Sequence, residues 1–451
     1  MRPPKGSPAF PKTPRSPRKG PGAFDEGGRL SASGGSVKCP VLGWSDRATG
    51  GIEPAMPAQA WIVVIAAAAS VSLALGARQT FGLFLLPLGA EHAIPAFAYG
   101  AAVALHNLLW GVGQPLAGAL ADKIGAGRVA LGGAVIYAIG LILPAIWPST
   151  PSLIIGIGVL TALGVAAAGS GTVLGAVARA VPENRRGDAL GLASAGGSIG
   201  QAALIPFVQW GITDYGTSGA FLMLAATMAL MLFVAPKLEW APPGPGTGRA
   251  TGLAGFPALA RRALAERDFA LLTLGFFACG FQLAFLTTHL PAHLSLCGLP
   301  AGLGVTALMF VGLFNIPGSW LCGRVGNSIR PEVALGGIYM IRTVAIAIFA
   351  SVTPTEWGTL VFAAVMGFIW LGTVPLTSAA IARRFGVADL GALYGVCFFS
   401  HQLGGFLGAG AGAWVVDATG SYAAFWPVML VVGVIAALAN WITRPMKMAA
   451  A

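Results

Sequence analysis

Residues 118–128 read Gly118-Ala-Leu-Ala-Asp122-Lys123-Ile-Gly125-Ala-Gly127-Arg128, a charged, glycine-punctuated turn between two apolar runs each long enough to approach the thickness of a bilayer. Working outward, basic clusters recur after every second apolar run: Arg179, Arg185 and Arg186; Lys237 to Arg267; Arg324 and Arg330; Arg383 and Arg384; Arg444 and Lys447. With the nine that precede Trp61, these account for 25 of the 27 Lys and Arg residues. The alternate loops, around Glu91, Pro148, Asp214, Leu299, Glu356 and Asp417, hold none. Basic loops stay on the cytoplasmic side, so the pattern implies a multi-pass protein of the cell inner (plasma) membrane with both termini cytoplasmic. Arg78 and Arg342 are the two exceptions, each inside an apolar run.

The composition agrees, with 56% hydrophobic residues, 10% charged and 65 glycines in 451 residues. The net charge of +11 belongs to loops facing anionic lipid and to a basic tail, so no nucleic-acid partner is expected. The five cysteines show neither CxxC nor ligand spacing, and His289 and His293 have no acidic or thiol companions in a ligand pattern. No metal and no cofactor are expected. Residues 1–55 are rich in Pro, Gly, Ser and Arg and read as a disordered cytoplasmic tail, with Met56 as the natural start.

Twelve apolar segments of spanning length divide six and six: a bundle over 56–235, a Pro- and Gly-rich cytoplasmic linker over 236–268, a second bundle over 269–443 and a short tail over 444–451. The halves repeat at an offset of 204 positions. Arg179, Gly187, Gly191, Gly200, Gly216 and Phe221 match Arg383, Gly391, Gly395, Gly404, Gly420 and Phe425, and Leu86-Pro87 matches Leu290-Pro291. The fold expected is therefore all-α, twelve transmembrane helices in two pseudo-symmetric six-helix bundles with a cavity between them, the architecture of alternating access.

Gly118, Asp122, Lys123, Gly125 and Arg128 fit a GxxxD(R/K)xGxxR pattern after the second span, which resembles the signature of the major facilitator superfamily. The resemblance implies a conformational latch at these residues, with Asp122 near a helix N-terminus and Lys123 and Arg128 bridging to acidic groups or lipid. The second copy, 318–330, has no carboxylate and should latch more weakly. Arg78 to Phe84 in the first span, Leu105 to Pro115 in the second and Phe399 to Gly404 in the eleventh resemble bacterial members of the monocarboxylate transporter-like branch, related to oxalate/formate antiporters. The resemblance implies a cavity lined by the first, fourth, seventh and tenth helices and an anionic substrate held by a basic residue. Such relatives often carry that residue in the eighth or eleventh helix, where this chain offers Asn315 and His401.

Arg78, with Gln79 beside it, lies well inside the hydrocarbon span, and all 16 acidic residues fall in the tail, in loops or at helix ends. A charge at that depth needs a partner or a wet cavity, so the missing counter-ion is expected to be the substrate's own anion. Gln282, at the repeat position of Arg78, is expected across the cavity. Asn107 belongs to a polar face with Trp110 and Gln114; Trp370 and Thr373 share a face of the tenth span; His401 and Gln402 lie near the midplane of the eleventh. Arg342, mid-way along the ninth span, is expected to bond an eighth-span carbonyl or Tyr339. There is no paired-carboxylate or Ser/His constellation, so the chain reads as no enzyme. It reads as a monomeric secondary active transporter of a small organic anion, a monocarboxylate, by proton symport or anion exchange; the alternative is an efflux carrier for drugs or toxic oxyanions.

Overall fold

Inside a bilayer every backbone N–H and C=O must find a partner within its own segment, so long apolar runs become helices. The computed structural model describes residues 56–182, 185–240, 256–385 and 390–444; the tail before Met56 and the residues after Arg444 lie outside these. Among the described residues, eight helical stretches are long and apolar enough to cross a membrane. One of them, Ala189–Leu238, is two rods: Gly216 takes φ 69°, and a Cβ on Gly211 would lie 2.9 Å from Met223 Sδ, which only a hairpin permits. Counting it twice and adding Ala96–Ile124, Leu390–Thr419 and Trp426–Trp441 gives twelve rods.

In chain order they are α1 (Ala58–His92), α2 (Ala96–Ile124), α3 (Ala126–Ile146), α4 (Thr150–Ala180), α5 (186–215), α6 (217–238), α7 (Arg267–Leu296), α8 (Ala301–Ser328), α9 (Pro331–Ser351), α10 (Glu356–Phe385), α11 (Leu390–Thr419) and α12 (Trp426–Trp441). Helix persists to Leu238, so the first bundle runs slightly past the expected boundary at 235. The linker contributes one short helix, Phe256–Leu264, with Arg261 and Arg262 exposed.

The 204-residue repeat is visible in the backbone. Gly216 and Gly420, repeat partners, both sit at φ 69°, a left-handed conformation open to glycine without a Cβ penalty. α4 breaks at Gly169, which is extended, and α10 breaks over 369–372, the matching place. Gly76 packs on Gly200 between α1 and α5, and their partners Gly280 and Gly404 bring α7 against the backbone of α11. Without a hydrophobic force between helices in lipid, such close backbone approach carries the association.

The turn at 118–128 holds Gly125 at φ 100°, where only glycine is at ease. The partner found there is Glu239 at the end of α6: its Oε1 accepts the Arg128 backbone N–H at 2.8 Å, at the N-terminus of α3. The carboxylate thus meets the helix end, where a negative charge is favoured. The side chain of Asp122 lies outside the described residues; Lys123 and Arg128 are exposed and Gly118 has open space around it. In the second half a charged network joins rod ends: Arg384 Nη1 donates to Asp268 Oδ2 at 2.6 Å and Nη2 to Glu332 Oε1 at 3.3 Å, while Arg444 Nε reaches Asp268 at 3.2 Å. That network ties α7, α9, α10 and the end of α12 together on the basic-loop face.

Candidate substrate-binding site

A cavity of about 100 Å³ lies between the two bundles, lined from the first by α1, α2 and α5 and from the second by α7, α10 and α11. Arg78 enters it from α1, 7% exposed. Its Nη2 donates to Asn107 Oδ1 at 2.7 Å, and its Nη1 to Gln79 Oε1 at 3.1 Å and Thr287 Oγ1 at 3.2 Å. Nε is buried without a partner. The guanidinium is therefore held in place, but only by neutral oxygens. Among the described residues no carboxylate forms an ion pair with it, so the charge is oriented and not cancelled.

The bonds around Arg78 extend into both bundles. Gln79 Nε2 donates to Gln201 Oε1 at 3.1 Å on α5, and Gln201 Nε2 donates to the Leu308 carbonyl at 2.9 Å on α8. Asn107 Nδ2 donates to the Gly405 carbonyl at 3.3 Å on α11, and Thr287 belongs to α7. One cation in the first bundle thus reaches three rods of the second.

Leu75, Trp110, Leu283 and Leu371 supply an apolar wall, and Trp370, His401 and Gln402 complete it. His401 Nδ1 and Gln402 Nε2 are buried without partners, two polar atoms with unused bonding capacity. On the face away from the basic loops the bundles meet closely. The Phe97 N–H donates to Asp417 Oδ2 at 2.8 Å, Gly100 abuts Ala413, and Gly82 abuts the carbonyl of Thr287. That face is closed.

Of the residues expected at the site, Arg78, Gln79, Asn107, Trp370, His401 and Gln402 come together. Three do not. Gln282 turns away and donates to the Met429 carbonyl of α12 at 3.0 Å, so Thr287, one and a half turns along α7, stands opposite Arg78 in its place. Asn315 lies behind the wall, donating to Ser198 Oγ at 2.6 Å, and Thr373 Oγ1 lies 3.4 Å from Cys279 Sγ, away from the cavity. Ser198, Gln201 and Thr287 were not singled out from sequence; the signal for Gln201 was an amide well inside a largely apolar span. Arg342 bonds neither an eighth-span carbonyl nor mainly Tyr339, whose ring is 5.8 Å away: it binds carbonyls of α10. A wider recess of about 360 Å³ near His293 and Trp426 contains none of the expected site residues.

Residues 62–409 match the family model described as Major Facilitator Superfamily. The chain belongs to the major facilitator superfamily. Its similar proteins include Monocarboxylate transporter 13 of Rattus norvegicus, 26% identical over 385 residues, covering 82% of this chain and 86% of that protein. YcxA, an MFS-type transporter of Bacillus subtilis (strain 168), is 25% identical over 364 residues, covering 76% and 85%. Among solved superfamily structures, the xylose transporter XylE from E. coli in a partially occluded inward-open conformation superposes with a TM-score of 0.67 at 14% identity, covering 86% of this chain and 98% of XylE. The E. coli fucose:proton symporter FucP gives 0.59 at 16%, covering 86% and 100%. This chain is accordingly a multi-pass membrane transporter of the superfamily and not an enzyme.

Proposed function

We propose that this transporter carries a small organic anion, a monocarboxylate, by alternating access across the plasma membrane, with Arg78 as the anchor for the carboxylate. The observation that carries the reading is a buried guanidinium facing the cavity between the bundles, bonded only to neutral oxygens, with Nε unused. A carboxylate entering the cavity can take a bidentate pair of bonds from that guanidinium, the strongest recognition its geometry offers. The monocarboxylate transporters among the chain's relatives support the same substrate class.

The remaining lining suits a short, partly apolar acid. Leu75, Leu283, Trp110 and Trp370 receive carbon, while Gln402 and His401 offer bonds to a second oxygen. His401 is the histidine in the wall; in symport the proton would travel on it or on the substrate's own acid group, whereas exchange of one anion for another needs no proton at all. Arg342, Asn315 and Thr373 act from behind the wall.

The test uses purified protein reconstituted in vesicles, loaded with one short carboxylate and presented with another. Wild-type protein should exchange them and should gain thermal stability from them. Arg78→Ala should lose both responses while the folded protein still inserts; Arg78→Lys, which keeps a point charge but not the fork, should retain weak binding. Exchange by Arg78→Ala at the wild-type rate would refute the assignment.

A further inference from the structure

Two buried polar side chains that stand outside the cavity meet at one place, the interruption of α10 between Phe368 and Thr373. A helix that stops and restarts inside a membrane leaves carbonyls and N–H groups without intrahelical partners, and each must be satisfied by something else. Arg342 on α9, fully buried, donates Nη2 to the carbonyls of Ile369 at 3.1 Å and Trp370 at 3.2 Å, and Nη1 to Cys279 Sγ at 3.3 Å on α7. Its positive charge sits at the C-terminal end of Glu356–Phe368, where the helix dipole is negative, which accounts for a buried cation in a peripheral rod.

From the other side, Asn315 Oδ1 on α8 accepts the Leu371 N–H at 3.0 Å. Its Nδ2 donates to Ser198 Oγ at 2.6 Å on α5, in the opposite bundle. The interruption is thus gripped at its carbonyls by Arg342 and at its N–H by Asn315. Trp370 and Leu371, the two residues so held, both line the cavity.

We propose that Arg342 and Asn315 are positioning residues for substrate selection: by holding the α10 interruption they fix Trp370 and Leu371 in the cavity wall, and so set the size of the anion accepted. This rests on the anion reading for its substrate, and on bonds independent of Arg78 for its geometry. Removing the guanidinium orphans two carbonyls, and the segment must rewind or shift to satisfy them. A wall moved by the width of a methylene changes discrimination between homologous substrates by about tenfold or more.

Two measurements on the full-length purified protein decide it. Hydrogen–deuterium exchange read on peptides covering residues 369–372 should quicken in Arg342→Gln and in Asn315→Ala, and be largely restored in Arg342→Lys, whose ammonium still reaches a carbonyl. Thermal stabilisation by acetate, butyrate and hexanoate should show the wild-type order of preference altered by about tenfold in Arg342→Gln, with less change in Arg342→Lys. A purely structural Arg342 would weaken all three acids equally. Unchanged exchange, or faster exchange with the preference intact, overturns the proposal; should Arg342→Gln not fold, Asn315→Ala carries the same two readings. If no carboxylate stabilises the wild-type protein, the anion reading fails, and with it the claim on anion size.

Discussion

Converting Asn107 to aspartate places a carboxylate where a neutral oxygen now sits 2.7 Å from Arg78 Nη2, without changing the side chain's size. The protein then supplies internally the counter-ion that the substrate is proposed to bring. Losing one partner of a buried ion pair costs about 3–5 kcal/mol, so a pre-formed pair withholds about 3 kcal/mol from an incoming carboxylate. At about 1.4 kcal/mol per tenfold, the Kd for a short carboxylate should weaken about 100-fold. The change also removes the Asn107 Nδ2 bond to the Gly405 carbonyl, a long contact of 3.3 Å. That loss, about 1 kcal/mol, falls on free and loaded protein alike and leaves the ratio untouched. Asn107→Ala is the control, since it removes the oxygen and leaves the cation bare; its Kd should weaken by no more than about tenfold. Titration calorimetry or ligand-dependent melting on purified protein reads all three. An Asn107→Asp variant that binds acetate or a longer homologue as tightly as wild type would refute the claim that Arg78 lacks a fixed counter-charge.

Two further outcomes follow from packing. A side chain on Gly82 would run into the Thr287 carbonyl, so Gly82→Val should fold but fail to close the face away from the basic loops. In a cysteine-free background, Ala284→Cys in the cavity wall should then react with an impermeant thiol reagent added on that face, and equal labelling without the valine would refute it. Glu239→Ala removes the carboxylate from the α3 N-terminus. Because the group is exposed, its loss should cost only about 0.5 kcal/mol, seen as a slight drop in melting temperature with transport kept; abolished transport would mean that Glu239 does more than cap.

The fold was legible because its constraints are carried by single residues. Glycine at 216 and 420 permits the same left-handed turn in both halves, and the matched basic loops fix which ends face together. Arg78, Asn107, Trp370, His401 and Gln402 were legible because a polar or aromatic group in an apolar span must face something other than lipid. The same rule cannot say which neighbour it faces. Gln282 obeyed it by bonding the Met429 carbonyl, and Asn315 by bonding Ser198 and the Leu371 N–H. A repeat offset gives depth along a rod, whereas the facing depends on local winding: α1 passes through a 3-10 turn at Phe81–Phe84 while α7 stays helical to Leu296. Gly372 and Pro375 mark the interruption of α10 but do not say what holds it, so Arg342 could not be matched to it before the backbone was known.

The network around Arg78 also supplies the link between binding and movement. Four bonds join the bundles near the cavity: Arg78 to Thr287, Asn107 to Gly405, Gln201 to Leu308 and Asn315 to Ser198. At about 1 kcal/mol each, somewhat more for the charged one, they favour the closed arrangement by about 4–6 kcal/mol. A ligand shifts such an equilibrium only by its differential affinity for the two arrangements, and about 5.5 kcal/mol separates a 1:99 from a 99:1 population. A carboxylate that draws Arg78 off Thr287 exchanges one of these bonds between bundles for a bond to cargo, a contribution of about 1.5–3 kcal/mol toward that shift. An acid too weakly held to displace Thr287 would occupy the cavity without moving the bundles, so binding and transport should part company along a series of carboxylates, the weakest binders being inhibitors and not substrates.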